Sequence, residues 1–395
     1  MRAKKILLGV AILCSSLSAS PPAPAEEPWG LSLLDDDSFV GWDYGDEVVG
    51  WKIKNGVLRG NADSSTMQSG WSLGDFELQI QWTAEEGAAI TFAFPLTASG
   101  TSNAKSDRPP LQVSLREGDR CGEIVDEDVV LAGGTKLPKS NGTIHTAVVK
   151  RENASLSVTV DKLPPQEASL NPRARFGLSI ASNGGVIELR SLRLLEPVGT
   201  PLLQNGNLDG WWTLGNLDSW SAEGDTLTCL NRDGNYLRTE KEYGDFTLSL
   251  EYKLAAGGNS GIGIRTPREG WPSGDGMELQ LLDEPPDAPL SRHSTMALYG
   301  NVEPFARADS PEEWNRAVIR AEHGIITAWI NGVLVQHIHT GYLSELRHRH
   351  PRGWIGFQDH GASISFRRMH LLESPVSHVD VYGSFEEYPR ESGSE

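Results

Sequence analysis

Cysteine is nearly absent: the 395 residues include three, Cys14, Cys121 and Cys229. Cys14 falls in a segment that reads as a cleaved leader, and the other two sit at non-equivalent places. Neither a disulfide framework nor a thiolate metal cluster is expected. Positive charge is also scarce. Against 53 Asp and Glu there are 35 Lys and Arg, a formal net charge of −18, which repels phosphate backbones and anionic lipid and argues against nucleic-acid and membrane-surface roles. Apolar runs long enough to span a bilayer are missing, as are long amphipathic helical patterns. So are a P-loop, a dinucleotide fingerprint, a nucleophile elbow and a zincin helix. His337, His339, His348 and His350 cluster in an Arg-rich stretch. Without acidic or cysteine support at ligand spacing they read as a solvated loop, not a metal site.

The two ends carry processing and solvation signals. Arg2, Lys4 and Lys5 precede an apolar stretch at 6–13, and Ala23-Pro24-Ala25 offers a small-residue cleavage site. Residues 1–25 are therefore expected to be a secretory signal peptide, placing the protein in the periplasm or outside the cell. Leu13 is larger than lipoprotein processing wants before Cys14, so a lipid anchor is not expected. Residues 375–395 carry Asp380, Glu386, Glu387, Glu391 and Glu395 with little core material, and read as a loosely ordered acidic tail.

What the chain does contain, it contains twice. Gly74-Asp75-Phe76-Glu77-Leu78-Gln79-Ile80 returns as Gly244-Asp245-Phe246-Thr247-Leu248-Ser249-Leu250. The block Arg190-Ser191-Leu192-Arg193-Leu194-Leu195-Glu196 returns as Arg367-Arg368-Met369-His370-Leu371-Leu372-Glu373. An offset of about 170 residues exceeds any solenoid period and indicates tandem domains. They are assigned to 29–197 and 202–374, joined by a linker stiffened by Pro197 and Pro201. Phe76-Glu77-Leu78-Gln79-Ile80-Gln81-Trp82 and Phe246-Thr247-Leu248-Ser249-Leu250-Glu251-Tyr252 alternate as half-buried strands do. Asn331-Gly332 between two apolar runs predicts a tight hairpin. Residues 355–358 and 362–366 read as a closing pair of strands, and 342–347 as a short helix. With turn residues punctuating the chain throughout, the pattern predicts an all-β protein of two antiparallel jelly-roll β-sandwiches.

The copies differ at three polar clusters. Asn259-Ser260-Gly261-Ile262-Gly263-Ile264-Arg265 stands against Gly87-Ala88-Ala89-Ile90-Thr91-Phe92-Ala93. Met277-Glu278-Leu279-Gln280-Leu281-Leu282-Asp283 stands against residues 109–115, and Gln358-Asp359-His360-Gly361 against residues 179–182 or thereabouts. Losses that occur together point to one site in the second copy. Side chains alternate along a strand, so Glu278 and Gln280 share a face, whereas Asp283 joins them only if a bulge shifts the parity. The Glu-x-Gln-x-x-Asp order resembles the acidic strand of laminarinase-type glucanases, with Gln280 replacing the middle acid. Blander readings stand beside these: a plain turn at 259–261, an ion pair for Arg265, an exposed loop for Asp283, a hairpin cap for His360, core hydrogen bonding for Gln358 and Tyr299, and loop packing for Trp271.

Seven ordered blocks carry a closer resemblance. They are Leu208-Asp209-Gly210-Trp211, Asn259-Ser260-Gly261-Ile262 with Arg265, Glu278-Leu279-Gln280-Leu281-Leu282-Asp283, Ala297-Leu298-Tyr299-Gly300, Glu313-Trp314-Asn315, Asn331-Gly332, and Gly356-Phe357-Gln358-Asp359-His360-Gly361 leading into Ser365-Phe366-Arg367. Through them the second domain resembles the 3-keto-disaccharide hydrolase family, and the first resembles it weakly, as a degenerate copy. Met277 and Arg368 depart from the family's usual aromatic and Asn. The resemblance implies a concanavalin A-like sandwich that cleaves 3-keto-glucosides by elimination across C1–C2, followed by hydration. A 3-keto group acidifies the C2 hydrogen, so such a site needs a base, an acid for the leaving oxygen and a donor to the oxyanion. The expected assignment is Glu278 as base, Asp283 or His360 as acid, Asn259, Arg265 and Gln280 on the enolate and hydroxyls, Trp271 stacked on a sugar face, and Tyr299 and Gln358 as further hydrogen-bonders. A divalent cation near the carboxylates is compatible with this set, and the expected partner is an oxidised glucoside. Two alternatives remain open: a retaining glycosidase using Glu278 and Asp283 about 5 Å apart, and a non-catalytic carbohydrate-binding module.

Overall fold

The computed structural model describes residues 30–374, apart from 35–38, 40, 43–47, 70, 72, 96–109, 140–141, 171–175, 205 and 323. The expected signal peptide and acidic tail lie outside the described residues. Within them, the repeat seen in sequence is a repeat of topology. One sheet of the first domain runs Gln166–Ser169, Ser155–Val160, His145–Glu152, Phe76–Ala84, Ile187–Leu195, Val57–Gly60, Lys52–Lys54. Its counterpart in the second runs Val333–His339, Ile325–Ile330, Asn315–Glu322, Phe246–Leu254, Ile364–Glu373, Thr226–Cys229, Trp220–Glu223, with the same connectivity. In each domain the opening strand, Leu31–Ser32 or Thr200–Pro201, pairs with the closing one. Both domains are antiparallel β-sandwiches, as the alternation predicts.

The alternation is what buries the core. Phe246, Leu248, Leu250, Tyr252 and Leu254, every second residue of one strand, are all buried. The predicted Asn-Gly hairpin forms, with φ of +50° at Asn331 and +85° at Gly332, the left-handed pair that a two-residue turn between twisted strands requires. Two expectations fail. Residues 353–358 and 364–373 belong to different sheets, so the turn between them carries the chain across the sandwich. The short helix expected at 342–347 is a single 3-10 turn at Thr340–Tyr342, followed by irregular turns.

The second sheet of the second domain matters most here. Its strands, in chain order, are β1 (Trp211–Thr213), β2 (Tyr236–Tyr243), β3 (Asn259–Thr266), β4 (Met277–Leu282) and β5 (Gly353–Gln358). They lie in the order β1-β2-β5-β3-β4. A short helix, α1 (Pro272–Asp275), lies between β3 and β4. The edge of β4 is not open. Residues 296–299 hydrogen-bond along it, with Tyr299 N donating to Glu278 O at 2.9 Å and Gln280 N to Ala297 O at 3.0 Å.

The domains are packed together. Val318, Trp329 and Leu334 of the second domain join the first domain's hydrophobic core. Trp329 Nε1 donates to Ser32 O at 2.8 Å, and Ser32 N to Gly332 O at 3.1 Å. The linker is tied down as well, through Glu196 to the buried Arg320 at 3.2 Å. His337 and His339, expected in a solvated loop, lie instead on the strand Val333–His339. His337 Nδ1 is 2.8 Å from Thr327 Oγ1, and burial pushes its imidazole down to about 4.

Candidate functional site

Residues directly opposite across antiparallel strands share a face. Trp212 pairs with Arg238, Arg238 with Gly356, Gly356 with Gly263, and Gly263 with Glu278, so one row crosses all five strands. A second row runs from Tyr236 to Gln358 and, one step from the Ile262–Phe357 pair, on to Gly261 and Gln280. The residues between these rows, Leu237, Phe357, Ile262 and Leu279, are in the core. Both rows therefore face outward. Three glycines form the floor between Glu278 and Gln280 on one side and Tyr236 and Arg238 on the other.

That floor exists to make room. A Cβ on Gly261 would lie 1.9 Å from Glu278 Oε1, and one on Gly263 would lie 3.4 Å from Pro272 Cβ. The carboxylate therefore lies flat across the neighbouring strand, with α1 folded over the floor beside it. Glu278 is 3% exposed and Tyr236 is fully buried. Among the described residues neither Glu278 Oε1 nor Tyr236 Oη has a hydrogen-bond partner. The Tyr236 hydroxyl and the Ser273 side chain face the acid closely enough to favour its charge, yet burial dominates and pushes Glu278 up to about 7. Burial, reinforced by the facing carboxylate, holds the Tyr236 phenol well above its usual range, so it stays a donor. Poorly satisfied buried polar atoms are costly, and a donor and an acceptor facing each other without a well-formed bond can both turn to a ligand's polar group.

Gln280 Nε2 donates to Asn259 Oδ1 at 2.9 Å, which joins two of the expected sugar-binding side chains beside this acid. Gln358 lies in the same row as Tyr236, and its Oε1 is buried without a partner among the described residues. Trp271 is 63% exposed, with its ring 6.5 Å from that of Tyr236. Tyr299 stands at the rim, its ring edge-on to His293 at 5.0 Å.

Three expected residues are placed elsewhere. The register of β3 with β4 is unbroken from Met277 to Leu282, so no bulge brings Asp283 round; its carboxylate accepts from Gly257 N at 2.6 Å. The bulge lies in β3 instead, where three steps from Gly263 to Thr266 face two from Gly356 to Trp354. Arg265 sits in it at φ +47°, which turns its side chain off the outward face. Its Nη2 pairs with Asp245 at 2.9 Å and its Nε donates to Gly244 O at 3.0 Å. Arg265 is thus a buried ion-pair residue rather than a substrate ligand. Replacing it by Gln removes the buried guanidinium from this pair, so urea unfolding should show a loss of about 3 kcal/mol. His360 is exposed on the turn past β5, and no hydrogen bond or ion pair among the described residues joins it to Glu278. That turn is held by Asp359, which accepts from Ser219 Oγ at 2.6 Å and Gly234 N at 2.7 Å.

Sequence reasoning missed Tyr236, Arg238 and the glycine floor. Arg238 is fully buried, donating to the carbonyls of Tyr236 and Gly270 at 3.2 and 3.3 Å. Comparison of the copies carried the missing signal once registered correctly. The closing blocks, 177 residues apart, set Gly356 against Ser179, and the first domain's pairings lead from Ser179 to Gln68 on one side and to Ala93 and Gln112 on the other. The row Arg238–Gly356–Gly263–Glu278 thus reads Gln68–Ser179–Ala93–Gln112. The alignment made from sequence was two residues out at Glu278, whose counterpart is the amide Gln112. In the first domain the acid, the guanidinium and the glycine floor are all replaced.

Among the described residues no group of three or more His, Cys, Asp or Glu side chains is placed to hold a metal. Around Glu278 the groups that act on its charge are the Tyr236 and Ser273 side chains.

A β-sandwich with a recessed acid among amide and aromatic side chains fits a carbohydrate-active enzyme or binding module, a class that a family match supports. Residues 199–372 match the family model described as a 3-keto-alpha-glucoside-1,2-lyase-like domain, and the second domain of this chain belongs to that family. No curated protein matches the chain. Among solved structures, a Parabacteroides distasonis ATCC 8503 protein provisionally named a glycosyl hydrolase is 22% identical, covering 44% of this chain and 98% of its own, with a TM-score of 0.41. A second from the same organism, named likewise, is 22% identical over 45% and 94%, with a TM-score of 0.40. The carbohydrate-binding module CBM66 from Bacillus subtilis is 15% identical over 44% and 100%, with a TM-score of 0.31.

Proposed function

We propose that the second domain cleaves glucosides oxidised at C3, by elimination across C1–C2 and then hydration. The observation that carries this reading is the buried Glu278 carboxylate, whose Oε1 makes no well-formed hydrogen bond among the described residues, facing the Tyr236 hydroxyl. Glu278 removes the C2 proton, and the C2–H electrons form an enolate whose oxygen accepts a hydrogen bond from Tyr236. As the C3 carbonyl re-forms, the C1–C2 double bond is made and the C1–O bond breaks. The proton now on Glu278 neutralises the departing alkoxide. Water then adds its hydroxyl to C1 and a proton to C2, for net hydrolysis. A carboxyl group near pH 7 suits both taking and returning that proton. Gln280, Asn259 and Gln358 supply amides for the sugar hydroxyls, and Trp271 an apolar face.

The paired-carboxylate alternative fits poorly. Glu278 and Asp283 are five residues apart along a regular strand and its continuation, roughly 16 Å, where a retaining glycosidase needs about 5 Å. The leader at 1–25 would place the reaction in the periplasm or outside the cell, and N-terminal sequencing of the secreted protein should begin just after Ala25. The decisive test of the reaction is aglycone release from matched glucosides, one native and one oxidised at C3. Turnover of only the oxidised substrate, lowered roughly 100-fold in Tyr236→Phe, is expected if this hydroxyl is an oxyanion donor. Turnover of the native glucoside would make the protein an ordinary glycosidase, and binding without turnover a lectin-like module.

A further inference from the structure

On the side of the outward face away from Glu278, arginines and aromatic rings alternate. The guanidinium of Arg268, in the exposed segment between β3 and α1, lies 4.8 Å from the Trp212 ring centre and 6.0 Å from that of Trp354. Arg238 lies 5.4 Å from the other neighbours in the stack, Trp212 and Tyr236. The indoles are fixed: Trp212 Nε1 donates to Thr239 O at 3.0 Å, Trp354 Nε1 to Glu240 O at 3.3 Å, and the two rings meet edge-on at 6.5 Å. Among the described residues neither arginine has a carboxylate partner, in a chain with 53 acidic residues against 35 basic ones. Stacking on an indole holds a guanidinium's plane while leaving its N–H edge free for a bidentate anion. Trp212 shares the row of Glu278 and stands four strands away, roughly 19 Å at strand spacing. That is beyond the span of a sugar ring at Glu278, so an anion held there would be carried by a substituent of that sugar, and the aglycone is the substituent the reaction requires.

We infer that Arg268, braced by Trp212 and Trp354, forms a subsite for a carboxylate carried on the aglycone. The assignment rests on the reading of Glu278 given above, because the aglycone is defined by which bond breaks. The test uses two 3-keto-glucosides that differ only in charge, with 4′-carboxybiphenyl-4-yl and 4′-carbamoylbiphenyl-4-yl aglycones, which are long enough to span that distance. Wild type should favour the carboxylate roughly tenfold in kcat/KM at low salt, as a charge-assisted bidentate contact at an exposed site allows. Added salt should shrink that preference. Arg268→Gln should bring the ratio to about one, and Arg268→Lys should restore part of it. An equal wild-type ratio, or a ratio unchanged in Arg268→Gln, would overturn the inference. Should neither substrate turn over, the catalytic reading fails, and tryptophan-fluorescence titration with the two unoxidised glucosides still decides the subsite: tighter binding of the carboxylate, lost in Arg268→Gln, supports it, and equal binding sinks it.

Discussion

Glu278→Gln should abolish turnover of a 3-keto-glucoside and at the same time make the protein more stable at alkaline pH. The two effects share one cause. Burial raises the carboxyl from 4.5 to about 7, so between those values the folded state holds a proton that the unfolded chain has released. Stability therefore falls as pH rises from about 4.5 to 7, and the full cost is present above 7. A shift of this size corresponds to about 3 kcal/mol at 1.36 kcal/mol per unit, and Gln, which carries no charge, escapes it. Urea unfolding at pH 8.5 should show a gain of about 2–3 kcal/mol, vanishing near pH 4.5. In wild type, kcat/KM should rise with pH through about 7 as the base ionises. Loss of the base should cost at least 100-fold in kcat. Unchanged stability at pH 8.5 would mean that the carboxylate is not desolvated; unchanged turnover would remove it from the mechanism.

How far the sequence reveals this site follows from which of its features are local. Glu278 and Gln280 were legible as a shared face because alternation along β4 is a property of one segment. The Asn331-Gly332 turn was legible for the same reason, since it needs only two positive-φ residues in succession. Asp283 was misplaced because its inclusion needed a bulge, and the bulge falls on β3, where the unequal spans of 263–266 and 354–356 leave no mark in composition. That bulge removes Arg265 from the outward face, and the lack of one in β4 leaves Asp283 on the opposite face. Tyr236 and Arg238 escaped notice because strand order, unlike strand pattern, is not written in adjacent residues. β2 reaches the site only through β5, more than a hundred positions later. His360 was drawn in because the first copy lacks the whole 358–361 cluster, although the chain leaves the sheet immediately after Gln358.

The two copies together show what a site of this kind requires of its backbone. Both domains keep the strand order and the buried rows, so the sandwich tolerates either set of outward side chains. The first domain has Ser179 and Ala93 where the second has Gly356 and Gly263, and Gln112 where the second has Glu278. The floor position on which the carboxylate lies is Gly261, where a Cβ would fall 1.9 Å from Glu278 Oε1; the same register sets Thr91 there in the first domain. Side chain and carboxylate exclude each other by volume, so loss of the acid and filling of that position belong together.

That exclusion can be imposed on the second domain. In Gly261→Ala the new Cβ would fall 1.9 Å from Glu278 Oε1 and 2.7 Å from its Cδ, far inside van der Waals contact. Gly261 is not among the positive-φ glycines, so alanine meets no backbone strain there. What must move is the end of a flexible side chain, and rotation of Glu278 off the floor is the cheapest relief. The strand should fold, with a stability change within about 1 kcal/mol, since relief of the buried charge offsets the crowding. Turnover should fall about 100-fold or more, because a base displaced by even 1 Å from its proton loses the near-attack geometry. The pH profile supplies a signature that simple unfolding would not: with Glu278 turned toward water, residual kcat/KM should titrate nearer the ordinary 4.5 than 7. Circular dichroism and urea unfolding report the fold, and kcat/KM against pH reports the carboxylate. Full activity in Gly261→Ala would mean that Glu278 does its work from some other rotamer, and that the glycine floor serves packing alone.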